Sequence, residues 1–130
     1  MKAKTGTKQK PLKITITNLG SDKAPVLLGL YGTENEFLNV KDTLKNYMFK
    51  PAGKDVITAE ISDLEYGQYA FALFQDMDND GKISRNFLGI PKDPYGFSNN
   101  FKPRLKAPSF NDCCFDYSED ENTQHIEMIR

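Results

Sequence analysis

Apolar residues in this chain recur every second position over most of its length, and that spacing constrains the fold more than any other feature. In LKITITN, Leu12, Ile14 and Ile16 alternate with Lys13, Thr15 and Thr17, the pattern of a strand with one dry face. PVLLGLYG is apolar on both sides, with Val26, Leu28 and Leu30 opposed to Leu27 and Tyr31, which suits a central strand. KDVITAEIS sets Ile57, Ala59 and Ile61 against Val56, Thr58 and Glu60. In DLEYGQYAFALFQD, Tyr69, Phe71 and Leu73 oppose Ala70, Ala72 and Phe74, sorting large and small residues to different faces of a buried strand. SFNDCCFDYS and TQHIEMIR read as two further strands, and His125, alternating with Ile126 and Met128, faces solvent. Residues 33–50 leave two readings open: a short helix spaced by Phe37, Leu38, Leu44 and Met48, or a loop and an edge strand ahead of Pro51.

Strands in this number, separated by turn clusters and with hardly any helical periodicity, predict an all-β chain: an antiparallel β-sandwich of about seven strands. Asp63, Leu64, Gly67 and Tyr69 follow the D-L-x-x-G-x-Y spacing of a tyrosine corner, in which a Tyr opening a Greek-key strand returns its hydroxyl to the backbone. The alternative is a tyrosine that only packs. A length of 130 residues is enough for one core and too short for a second. Residues 1–10, with four lysines and no acid, read as a disordered leader or cloning remnant ahead of a single domain at 11–130.

Charge narrows the partners. Lys+Arg 17 against Asp+Glu 18 gives a net charge of −1, so no global field draws nucleic acid. No apolar run reaches the ~18–20 residues that span a bilayer, and MKAKTGTKQKP lacks the apolar stretch of a secretory signal. Membrane insertion is therefore not expected. Cys113 and Cys114 are adjacent, closer than the ~5.5 Å between alpha carbons of an ordinary disulfide. They read as plain strand residues, Cys113 on the face of Phe115, with a strained vicinal bridge or an intermolecular bond through Cys114 as alternatives. One His and two Cys cannot supply a four-ligand zinc site.

Chemistry concentrates in DMDNDGKIS. Asp76, Asp78 and Asp80 alternate and Gly81 follows, the core of a calcium loop. A hard cation takes six to eight oxygens, alternate side chains in a tight loop converge, and Gly81 allows the reversal that turns the Lys82 carbonyl inward. Ser84 stands where a side chain or its water would ligate. The twelfth position, where a bidentate Glu belongs, is Phe87, so further oxygens would come from Asn86, Asp93 or Asp112. The competing reading is an Asp-rich turn without metal. The following stretch from Asn86 to Phe110 has four prolines and two glycines, yet it is rich in aromatic residues, which describes an ordered loop packed on the domain. Within it Tyr95, Phe97, Asn99 and Asn100 could line a small-molecule or glycan surface; otherwise the rings plug the core and the asparagines cap turns.

YAFALFQDMDNDGKISRNFLGIPKDPYGFSNN, followed by APSFNDCCF, resembles the signature of the bacterial family named domain of unknown function 2141 (DUF2141). The residues matching that pattern are Tyr69, Ala70, Asp76, Gly81, Lys82, Asn86 to Lys92, Tyr95 to Asn100, Pro108 to Phe110 and Phe115. The close likeness runs over about residues 64–116 and a looser strand pattern over 12–130. It implies an Ig-like or prealbumin-like Greek-key sandwich and export to the periplasm or cell surface, and it implies no activity. Departures include Asp78 and Asp80 where the family tends to carry Asn, Ser84 where it tends to carry Asp, and Cys113 in place of Ala. The expectation is a non-catalytic exported binding or accessory module, contacting a small molecule, glycan or protein, with a structural calcium loop at 76–84. Two alternatives stand beside it: a hydrolase with Asp76 or Asp93 as general base, and an assembly domain pairing through an edge strand.

Overall fold

The computed structural model describes residues 9–32, 37–38, 43–81, 92–104 and 106–130. Eight strands lie among them: β1 (Leu12–Thr17), β2 (Val26–Tyr31), β3 (Lys45–Phe49), β4 (Ile57–Ile61), β5 (Gly67–Gln75), β6 (Tyr95–Phe97), β7 (Phe115–Tyr117) and β8 (Thr123–Glu127). A 3-10 turn at Ser98–Asn100 and a one-turn helix, α1 (Phe110–Cys113), are the described helical pieces.

The chain is all-β, arranged as two open sheets. The smaller runs β4-β1-β8, and the larger runs β3-β2-β5-β6 with β7 also paired to β5. β5 is long enough to hold both: Gly67 to Tyr69 meet β7, while Ala72 to Phe74 meet β6. One core lies between the sheets. Leu12, Ile14 and Ile16 of β1, Ile57, Ala59 and Ile61 of β4, and Ile126 of β8 meet Val26, Leu28 and Leu30 of β2 and Phe71 and Leu73 of β5. These are the alternate positions that the period-two pattern singles out. Each large aliphatic side chain buried there contributes about 1.5–3 kcal/mol. Gly96 is required where β6 crosses this core, because a Cβ there would stand 2.8 Å from the Ile126 methyl.

Four expectations are corrected or resolved. The larger sheet is antiparallel throughout, but β8 runs parallel to β1, from Lys13 opposite Thr123 to Thr17 opposite Glu127. Alternation reports which face is dry, and a parallel partner presents the same alternation as an antiparallel one. Residues 45–49 form an edge strand on β2, not a helix; residues 33–36 and 39–42 lie outside the described set. β6 is an eighth strand inside the stretch read as loop, too short at Tyr95–Phe97 to show a period. SFNDCCFDYS is not one strand. Its first half is α1, closed by a capping box in which Ser109 Oγ accepts from Asp112 N–H and Asp112 accepts from Ser109 N–H. Cys113 is therefore helical and belongs to a second cluster, apart from Phe115 in the main core. Both cysteines are free thiols.

The second cluster covers the outer face of the larger sheet. Tyr31, Ala70, Phe97, Phe110 and Cys113 are buried in it, with Phe37, Tyr95 and Phe101 packed alongside. Phe37 links Tyr31 and Phe110 through edge-on ring contacts at 5.3 and 5.9 Å. The described part of the 86–110 stretch is thus laid against the sheet.

Candidate functional site

The Asp-rich loop begins at the end of β5. Asp76 is 2% exposed, and its N–H donates to the Pro25 carbonyl at 2.8 Å. Its carboxylate accepts from the loop it opens: Oδ1 from Asp80 N–H at 3.2 Å and Oδ2 from Gly81 N–H at 2.7 Å. Asn79 and Gly81 hold positive φ values of 54° and 78°, which is why Asn and Gly stand there. Asp78 and Asp80 are exposed. Lys82, Ser84 and Asn86 lie outside the described residues. Asp112 is spent on the α1 cap and Asp93 is buried. Among the described residues no three His, Cys, Asp or Glu side chains are grouped so as to hold a metal ion.

Gln75, one residue before this loop, is fully buried on the core face of β5. Its Oε1 accepts from Gly20 and Ser21 N–H at 2.7 and 3.2 Å, and its Nε2 donates to the Ser21 and Ala24 carbonyls at 2.8 and 2.9 Å. All four hydrogen-bonding positions of the amide are satisfied by one loop. A polar residue continuing the Tyr69, Phe71, Leu73 parity was its sequence signal.

The segment Tyr95–Asn100 divides by role. Tyr95 and Phe97 share the outer face of β6, their rings edge-on at 5.9 Å. Asn99 and Asn100 adopt the left-handed backbone, at φ 63° and 53°, and turn away toward neighbouring chain. Asn99 Nδ2 donates to the Cys114 carbonyl at 2.7 Å, and Asn100 Oδ1 accepts from Glu127 N–H at 2.9 Å. Between them and β6, the buried Ser98 hydroxyl accepts from Phe71 N–H at 2.9 Å and donates to the Cys113 carbonyl at 2.6 Å. Ser98 thereby ties β5 to α1, a role its position in an unpatterned stretch did not reveal.

A transverse apolar row crosses the same outer face. Met48 of β3 stands opposite Leu27 of β2, Leu27 opposite Phe74 of β5, and Phe74 opposite Tyr95 of β6. Leu27, Phe74 and Tyr95 are half-buried and Met48 is 57% exposed.

At the other end of β5, Lys45 Nζ and Tyr47 Oη both donate to the Asp63 carboxylate at 2.9 Å. These bonds, that from Lys45 first, hold the Asp63 carboxyl below its ordinary range. Burial, then the hydrogen bond to Asp63, pushes the Tyr47 hydroxyl well above the usual phenol range. Burial also pushes the Cys113 thiol up to about 12, with the Asp112 charge adding to it, and raises Cys114. His125 is exposed on β8, as its alternation implies.

Fold and site together define an all-β, two-sheet domain with an apolar outer face and an acidic loop at one end. The family described as uncharacterized protein conserved in bacteria (DUF2141) matches residues 14–125, and the chain belongs to that family. No curated protein and no solved structure matches it. Among the described residues, no helix is long and apolar enough to cross a membrane.

Proposed function

We propose that this domain is a non-catalytic, exported binding or accessory module that takes a glycan or similar ring-stacking ligand on the outer face of its larger sheet. The observation carrying this is the row Met48, Leu27, Phe74, Tyr95: four partly exposed apolar side chains in direct register across four strands. Such a strip offers an aromatic platform on a rigid support. An Ig-like or prealbumin-like sandwich is the architecture we assign. In its favour are the single core shared by both sheets and the bond from Tyr69 Oη to the Glu65 carbonyl, the closure of a tyrosine corner. We place it in the periplasm or at the cell surface, a reading supported by the family resemblance alone.

A glycan array tests the contact face. Wild-type protein should bind at least one glycan class, and Tyr95→Ser combined with Met48→Ser, at the two ends of the row, should lose that signal while keeping the circular dichroism spectrum of the folded protein. A wild type that binds nothing, or a double variant that binds equally well, overturns the assignment.

Calcium in the 76–84 loop is a separate proposal, supported by the alternate spacing of Asp76, Asp78 and Asp80 and by the reversal at Gly81. It requires a melting temperature that rises with calcium in wild type and does not rise in Asp78→Asn with Asp80→Asn. No shift at millimolar calcium removes it.

A further inference from the structure

We infer that the domain is built to bear tension applied through its two ends. Of the described strands β1 is the first and β8 the last; they are neighbours and they are parallel. A pull on the N-terminal side draws β1 toward its start, and a pull on the C-terminal side draws β8 toward its end. In a parallel pair these directions oppose each other along the strand axis. The register from Lys13–Thr123 to Thr17–Glu127 is then loaded in shear, all pairs at once. An antiparallel terminal pair would place both ends on the same side and open bond by bond. Because each backbone hydrogen bond is individually modest, whether the bonds break together or in turn decides how the pair responds to load.

Both ends of this pair are also tied down. Where the chain enters, Lys10 N–H donates to Tyr66 Oη at 3.0 Å and the Tyr117 hydroxyl donates to the Lys10 carbonyl. The two tyrosine rings meet edge-on at 5.0 Å, and Tyr117 is fully buried. Load therefore meets the larger sheet, through β7, before it reaches β1. Lys13 N–H then donates to the Asn122 carbonyl at 2.9 Å. At the far end, Met128 N–H donates to the Thr17 carbonyl at 2.9 Å, and Asn18 Nδ2 donates to the Met128 carbonyl at 2.9 Å. Arg130 donates to Asn18 Oδ1 at 3.0 Å. Ile129 exchanges both backbone bonds with Tyr95 of β6, at 2.7 and 3.0 Å. The last residues are thus stitched into both sheets.

Single-molecule stretching of the full chain tests this without changing the fold. Handles at the two termini should give a rupture force at least about twofold higher than handles at Gln9 and Ser62, measured at one pulling speed, because forced unfolding reports the barrier along the loaded direction. Gln9 and Ser62 adjoin the paired ends of antiparallel β1 and β4, so that geometry unzips. Asn18→Gly, which keeps the left-handed backbone (φ 61°) but deletes the ties to Met128 and Arg130, should lower the terminal force and leave the Gln9/Ser62 force nearly unchanged. Equal forces in the two geometries, or a variant that lowers both alike, overturn the inference.

Discussion

The Tyr69 hydroxyl donates to the carbonyl oxygen of Glu65, four residues earlier in the chain, at 2.7 Å. This bond closes the turn between β4 and β5 and sets the entry of β5, the longest of the described strands. Tyr69→Phe keeps the ring and removes the bond, and should lower stability by about 1 kcal/mol with an unchanged circular dichroism spectrum. A urea titration measures it; an unchanged midpoint would show that the ring alone does the work.

Ser98→Ala should cost more, about 2–3 kcal/mol, because it strands two buried backbone groups: Phe71 N–H loses its acceptor and the Cys113 carbonyl its donor. Hydrogen exchange at the Phe71 amide separates this from general loosening. That amide should lose protection out of proportion to its neighbours on β5.

Asp63 predicts a small acid-side effect with a definite sign. Its carboxyl sits below the ordinary value of 3.8 in the folded chain, so the unfolded chain binds the proton more readily. The contribution is present above the ordinary value and is lost as pH falls through the lower folded one. The side chain is 61% exposed, so solvent screening holds the effect to about 0.5 kcal/mol or less. Asp63→Asn should flatten that part of the stability–pH curve between pH 5 and 2, a range read by urea midpoints at about half-unit steps.

The cysteines should differ in reactivity. Cys113 is fully buried with its thiol raised to about 12, whereas Cys114 is half-exposed. A thiol reagent at neutral pH should modify Cys114 slowly and reach Cys113 only on unfolding, since the thiolate is the attacking form. Mass spectrometry of the native and urea-unfolded protein, read by residue, gives the order. Modification of Cys113 first would contradict the burial.

Much of the architecture was legible because one periodicity governs it. Leu12, Ile14 and Ile16, and Ile57, Ala59 and Ile61, occupy the core as their spacing requires. D-L-x-x-G-x-Y identified the corner bond in advance. What escaped notice depends on relations that alternation does not encode. Strand direction is one, since Ile126 would be buried on β8 whichever way it ran. Short elements are another: three residues of β6 cannot establish a period, and α1 was signalled only by Ser109 and Asp112, a capping box read as strand. At the candidate site, the alternating aspartates were visible, but the use of Asp76 as an acceptor for the amides of its own loop is a three-dimensional fact. The outer-face row was equally hidden, because Met48, Leu27, Phe74 and Tyr95 are brought together only by the pairing of four strands.

Placing the first strand between β4 and the last has a consequence for biosynthesis. β1 can pair with β4 as soon as residues 57–61 have emerged from the ribosome, but its other edge stays open until residues 123–127 appear. Pairing at such sequence separation is slow to form. Until β8 emerges, the nascent chain therefore leaves one edge of β1, with its backbone N–H and C=O groups, unpaired, and loss of β8 would leave the smaller sheet as a two-stranded ribbon.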